Sequence, residues 1–356
     1  MKTGCGVTLT KLKDIAAHLG ISPATVSRAL NGFPEVGAKT RARVLAASKE
    51  FNYAPNTNAK RLATGKSGAV GMVFGSSRNL LMDPHFLDFL AGLSLVLSDR
   101  EIDLVIRVAP PGKQLEQYAR LMGNGSVDGM IVSAPEVDDM RIKALLAADF
   151  PFVVHGRTED DVPYAYYDID NDGAIKNGVN LLTQLGHRRV AFLNGPEDMM
   201  FAQQRLNAFL REMGQRLNPV PPEFICHDEM GEELGYTRAA SMLDRAPSQR
   251  PTAFICSSTL QALGVMRATA ERGLEVGEDI SIVAHDDNLP QFHSENFAVP
   301  LTVTRAPIRD AANQLGRMIG ALVAGGDPKT MQHTEKTDLI VRASTASVPK
   351  GGEAPW

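Results

Sequence analysis

The run T-K-L-K-D-I-A-A-H-L-G-I-S-P-A-T-V-S-R-A-L-N-G, Thr10 to Gly32, constrains the fold most tightly. It spells two short amphipathic helices broken at Gly20. Thr10 can cap the first, with Leu12, Ile15, Ala16 and Leu19 as its inward stripe. Ser22 then caps a second helix, and Pro23 takes its first position, where a missing N–H costs nothing. Val26, Ala29 and Leu30 face inward, which leaves Ala24, Ser27 and Arg28 outside, small and polar around one long donor. With a third, basic helix following to about Leu45, this is a helix-turn-helix that presents a recognition face.

Charge points the same way. The 356 residues carry a net charge of -4, but residues 1–66 hold eleven Lys and Arg against three Asp and Glu, a net of +8. The other 290 therefore carry -12. A basic head on an acidic body is a localised footprint for a polyanion, here double-stranded DNA. No apolar run approaches the length of a membrane span and no export leader is evident, so a cytoplasmic protein without a membrane partner is expected. Cys5, Cys226 and Cys256 are odd in number and far apart, which suits neither disulfides nor a metal cluster.

After Phe51 and Tyr53, which anchor the third helix, Asn56 to Ala63 can form two helical turns, too few to stand without a partner. From Ala69 the texture becomes α/β. Strands are expected at 69–74, 104–108, 129–133, 152–155 and 164–168, then at 190–194, 224–226, 253–256 and 281–284, with helices between them. Two doubly wound layers of similar size would face each other across a cleft at their carboxyl edges, where hinge closure over a ligand is natural. Neither half has a G-x-G-x-x-G turn or a G-x-x-x-x-G-K-[ST] loop, so no cofactor is expected. Asp168, Asp170 and Asp172 have a calcium-loop spacing but lack its glycine and final glutamate. His187, in L-G-H-R-R, reads as a helix-end cap, not a catalytic base, and no catalytic residue or metal ligand is assigned.

The pieces L-K-D-I-A-A-H-L-G-I-S-P-A-T-V-S-R-A-L-N-G (12–32), Y-A-P-N-T-N-A-K-R-L-A (53–63), L-G-H-R-R-V-A-F-L (185–193), D-I-S-I-V-A-H-D-D (279–287) and D-L-I-V-R-A-S-T-A (338–346) are collinear. Through them the chain resembles the LacI/GalR family of bacterial transcriptional regulators. The resemblance implies a helix-turn-helix domain (1–54), a hinge helix and linker (55–66), and a periplasmic-binding-protein-like body of two parallel-sheet subdomains. These would be 67–168 with 301–326, and 169–300 with 327–342, the chain crossing between them three times. Residues 343–356, rich in Ala, Pro and Gly, are expected to be a disordered tail.

The resemblance also implies the sites. The second helix would enter the major groove of a palindromic operator, read by a homodimer. Pro23 and Ala24 would offer contact to thymine methyls and Arg28 a bidentate contact to guanine, with Ser22, Thr25, Ser27 and Asn31 holding phosphates. Leu62 would wedge into the minor groove, flanked by Asn56, Ala59 and Lys60. In the cleft, Arg205 and Asp286 would bind the effector with Arg157 and the segment holding Asp83 and Phe86. Ser258 stands where the family usually has asparagine, a departure that implies either a ligand larger than a monosaccharide filling the space or a bridging water. The expected function is a repressor released by a neutral mono- or disaccharide. A purine- or nucleoside-responsive regulator is the alternative, disfavoured because the cleft segments offer few aromatic residues; a periplasmic solute-binding protein and a cleft enzyme are remoter ones.

Overall fold

The computed structural model describes residues 11–30, 33–51, 53, 65–75, 83–159, 161–215 and 220–348. It divides into two compact units, Met1–Ser67 and Gly68–Trp356. The first holds α1 (Leu12–Leu19), α2 (Pro23–Leu30) and α3 (Ala38–Glu50). Gly20 ends α1 in the left-handed conformation, at φ 66°. The start of α1 differs from expectation. The helix begins one residue later, and the Asp14 carboxylate accepts the Lys11 N–H at 2.8 Å, while Thr10 lies outside the described residues. Ser22 does cap α2, its Oγ accepting the Thr25 N–H at 3.1 Å. Ile15, Ala16, Val26, Ala29, Val36, Val44 and Ala47 form the core, with Phe51 and Tyr53 packed against it.

The second unit runs β1 (Ala69–Gly75), α4 (Pro84–Ser98), β2 (Asp103–Ala109), α5 (Gln114–Gly123), β3 (Gly129–Ser133), α6 (Met140–Ala147), β4 (Phe152–His155) and β5 (Ala165–Ile169). A second series follows with α7 (Asn171–Gln184), β6 (Val190–Asn194), α8 (Met200–Gly214), β7 (Ile225–His227), α9 (Glu232–Leu243), β8 (Ala253–Cys256), α10 (Thr259–Glu271), β9 (Ser281–Asp286) and β10 (Thr302–Arg305). The chain ends with α11 (Ile308–Leu322), β11 (Gln332–Glu335) and β12 (Asp338–Ile340). One sheet has the order β11-β5-β4-β3-β1-β2 and the other β12-β10-β9-β8-β6-β7. All pairings are parallel except β10 with β12. Each sheet repeats the same doubly wound order, whose ligand position lies beyond the carboxyl ends of its strands.

Strands buried on both faces split their side chains by parity. In β1, Ala69 and Val73 pack on one face, Val70 and Met72 on the other. In β9, Ile282 and Ala284 face the α9 and α10 side, and Val283 faces α7 and α8.

The first crossing, after β5, lies within a residue of its expected place, but the other two fall elsewhere. Residues 302–305 pair with β9 in the second sheet, and only α11 lies against the first. Residues 332–335, expected in the second subdomain, pair with β5 of the first. The exposed, polar texture of β11 hides an edge strand from any hydrophobic pattern. Part of the expected tail is folded. Ser344 is buried, its hydroxyl donating to the Ile282 carbonyl at 2.7 Å and accepting the Thr302 N–H at 2.8 Å. The Val348 N–H bonds the Leu185 carbonyl at 2.9 Å. Ser344 bonds to strand backbone and Thr345 to the Thr302 hydroxyl, so a composition that reads as loose makes fixed contacts at 344–348.

Candidate functional site

On α2, the surface residues are those the helical period leaves over. Ser22, Pro23, Ala24 and Arg28 are exposed, and Thr25 and Ser27 are half-buried. The Ser22 hydroxyl, besides capping, lies 2.9 Å from Thr25 Oγ1. Asn31, Asn56, Ala59, Lys60 and Leu62 lie outside the described residues.

The second unit contains a cavity of about 440 Å³ between its two sheets, within the range of small-molecule sites. Val73 and Phe74 from β1, Ser133 from β3 and His155 from β4 line one side; Ser257 after β8 and His285 and Asp287 at the end of β9 line the other. Backbone bonds close its rim. The Val137 N–H donates to the Asp198 carbonyl at 3.1 Å, and the Met200 N–H to the Pro135 carbonyl at 2.9 Å.

Four expected residues meet here: Asp83, Phe86, Arg157 and Arg205 all line the cavity. Asp83 caps α4 by accepting the His85 N–H at 3.0 Å, which fixes Phe86 three positions on. Arg205, 4% exposed, donates to Asn171 Oδ1 at 2.8 Å and to the Ser257 carbonyl at 3.1 Å. Burial lowers its guanidinium to about 10, against the opposing pull of Asp287 and Asp168. Arg157 bonds Asp168 at 3.0 Å. Burial pushes the Asp168 carboxyl up to about 6, although the Ile169 N–H and Arg157 oppose it.

Two expected residues do not reach the cavity. Asp286 is sequestered: its Oδ2 accepts from Arg305 Nη2 at 2.8 Å and from Ser294 Oγ at 2.7 Å. Its Oδ1 accepts the Asn288 N–H at 2.8 Å. Ser258 caps α10 by accepting the Gln261 N–H and donates to the Met230 carbonyl. The reason is shared. Asp286 follows the parity of Ile282 and Ala284, and Ser258 that of Phe254 and Cys256, all facing α9 and α10. The cavity takes the other parity, so it receives Asp287 and Ser257 instead.

The site also holds residues that the sequence did not single out. His85 Nδ1 lies 3.0 Å from Asp83 Oδ1, and Nε2 reaches across the cleft to 3.2 Å from Asp287 Oδ2. Burial works against its charge, yet the carboxylates of Asp287 and Asp83 raise His85 to about 10. Burial would raise Asp287 too, but His285 and His85 hold it well below the usual carboxylate range. His155 stacks on Phe89 at 5.3 Å between centroids, and burial pushes it down to about 4. The expected scarcity of aromatic residues is overturned: Phe74, Phe86, Phe89 and Phe201 all line the cavity. Phe86 and Phe89 share α4, while Phe74 and Phe201 come from β1 and α8, so the four are not clustered along the chain. His187 lies elsewhere, buried, its ring bonding Thr252, Ser281 and the Ala346 carbonyl at 2.9–3.0 Å.

Comparison with known proteins assigns both parts. Residues 11–56 match the family described as bacterial regulatory proteins, lacI family, and residues 179–345 match a periplasmic binding protein-like domain. The HTH-type transcriptional regulator AglR of Rhizobium meliloti (strain 1021) is 42% identical over 97% of this chain and 96% of its own. The chain belongs to the lacI family. The lac repressor dimer bound to operator and the anti-inducer ONPF is similar in structure, with a TM-score of 0.80 at 26% identity over 95% of this chain and all of that one. The CelR–cellobiose complex gives a TM-score of 0.68 at 26% identity, over 94% of this chain and 99% of that one. This lacI-family member is a sequence-specific DNA-binding transcriptional regulator, not an enzyme. Among the described residues, no helix is long and apolar enough to cross a membrane.

Proposed function

We propose that this regulator is a repressor released from a palindromic operator by a neutral sugar, a mono- or disaccharide, held in the cavity between its sheets. One observation carries the choice of ligand class. Six carboxylates line the cavity (Asp83, Glu136, Asp168, Asp198, Glu229 and Asp287) against three guanidiniums (Arg141, Arg157 and Arg205) and the charged His85. Three of the four cations are drawn into acids, Arg141 to Asp139, Arg157 to Asp168 and His85 to two, while Arg205 is bonded to Asn171 and the Ser257 carbonyl. A phosphorylated or carboxylated ligand would meet net repulsion there, whereas hydroxyls can both donate and accept. The cellobiose bound by CelR is a ligand of this kind.

On the DNA, Arg28 is the reader of guanine, Pro23 and Ala24 set shape and methyl contact, and Ser22, Thr25 and Ser27 hold the backbone. The active species is a homodimer. Leu87 and Leu95 on α4 are 44% and 65% exposed, and Val108 on the edge strand β2 is 57% exposed; the lac repressor structure is a dimer. The four phenylalanines in the cavity favour a nucleoside as the second reading, since a base stacks on the same rings.

The test selects an operator from a random duplex library, then measures its release by neutral sugars, sugar phosphates and nucleosides. Release by a neutral sugar and not by its phosphate is expected. A response to nucleosides alone overturns the sugar reading.

A further inference from the structure

The hydrogen-bonding capacity of the cavity is distributed unevenly. Asp287, the obvious acceptor, is already ion-paired across the cleft with His85 Nε2 at 3.2 Å, though without hydrogen-bond geometry, and His85 Nδ1 is bonded to Asp83. Arg157 is spent on Asp168, and Arg205 has two of its donors on Asn171 and Ser257. His285 is different. It is 4% exposed and lines the cavity, yet neither Nδ1 nor Nε2 has a hydrogen-bond partner among the described residues. Its nearest charged neighbour, Asp287 Oδ1, stands 3.6 Å from Nε2, beyond hydrogen-bond reach. Buried polar groups are almost always bonded, and those that are not mark a place where something else supplies the partner.

We infer that His285 is the specificity-determining residue of the effector site, reading a ligand hydroxyl through its ring nitrogens, while Asp287 is held by His85 as a positioning group between the lobes. An imidazole always carries at least one N–H, so it can donate to a hydroxyl oxygen, and an unprotonated nitrogen can accept from one. A site built to bond a hydroxyl rejects the analogue that lacks it, because the ring is then left unpaired. Backbone parity fixes the direction: His285 shares its face with Val283 and stands on the side of α7 and α8, which bring Asn171 and Arg205 to the same cavity. This inference rests on the effector reading above and says which residue of this chain discriminates.

Full-length protein is titrated calorimetrically with cellobiose, maltose, sucrose and adenosine, and ring-nitrogen spectra are recorded on histidine-labelled protein. His285 is assigned by the signals lost in His285→Phe, a flat ring without nitrogens. The sugar that binds is expected to move both His285 signals. His285→Phe weakens that sugar at least tenfold, and His285→Gln, which keeps a donor and an acceptor, recovers most of the affinity. A sugar that binds with the His285 signals unmoved, or equally well to the Phe variant, overturns the inference and leaves the sugar reading intact. Should only adenosine bind, the sugar reading falls, and the inference stands if adenosine moves the His285 signals and falls if it does not. A protein that binds none of the four overturns both. If His285→Phe fails to fold by circular dichroism, the signals of wild type set against His285→Gln decide.

Discussion

The exposed face of α2 and the wall of the cavity are assembled in opposite ways. On α2 one element supplies every candidate reader, and the 3.6-residue period alone sorts Ala24 and Arg28 outward from Val26 and Ala29 inward. In the cavity the side chains are gathered from several strand ends and helices, α4 and α8 among them, and a shift of one residue along a strand exchanges a ligand contact for a buried structural bond. A helix face tolerates a one-residue error in reading; a strand end does not.

The sharpest way to break that comparison is at residues 286 and 287. Asp286→Ala strips the buried acceptor from Ser294 Oγ and the Asn288 N–H and leaves partly exposed Arg305 to Glu295, and is expected to cost about 1–3 kcal/mol of stability by denaturant unfolding. Asp287→Asn should instead weaken the effector while the protein stays folded. If Asp286→Ala is as stable as wild type and loses effector binding alone, the parity argument is wrong.

Acid exposes a second buried group outside the cavity. Burial lowers His187 to about 4, against the bond from the Ala346 carbonyl. The unfolded chain binds that proton near 6.5, so the stability is complete above about 6.5 and is lost as pH falls from there toward 4. One such histidine contributes about 3 kcal/mol. Asp168, pushed up to about 6, acts in the opposite sense between 6 and its unfolded value. The comparison is therefore wild type against His187→Gln, whose melting temperature should fall less steeply from pH 7 to 5. Equal slopes would mean that the ring is not held neutral in the fold.

Effects on the head are smaller and more selective. Arg28→Ala should cost about 1–3 kcal/mol at one base-pair position in each half-site, read from a binding-site library. An unchanged base preference would remove Arg28 as a reader. Smallest is Ser22→Ala, which removes the cap of α2 and should lower stability by about 1 kcal/mol in thermal unfolding. No change would show that the Thr25 N–H finds another acceptor.

Legibility followed the same division. Strands at 129–133, 152–155, 190–194 and 253–256 coincide with expectation to the residue, because short apolar runs between breakers are what doubly buried strands require. The helix containing Arg205 starts at Met200, before the expected position, since Met200, Phe201 and Ala202 carry no capping signal. Edge strand β11 carries polar residues and left no pattern, whereas β12, in the D-L-I-V-R piece, joins the second sheet as the resemblance implied. In the site, Arg205, Arg157, Asp83 and Phe86 were legible through resemblance. His85 and His285 were not, because a single histidine at a helix start or within an apolar strand has no periodic signature, and only the meeting of the two sheets brings His85 to Asp287.

The threefold passage of the chain between its sheets, after β5, after β10 and between β11 and β12, has a mechanical consequence. A single connection would let one lobe swivel freely about it. Three connections act like the three legs of a flexure: they resist twist and sliding, and leave bending as the soft motion. A nick in any one leg leaves the halves tethered by the other two. Whatever closes on the cavity is thereby delivered to the far end of the first lobe, where Gly68 begins the unit, as one rigid tilt rather than a diffuse loosening.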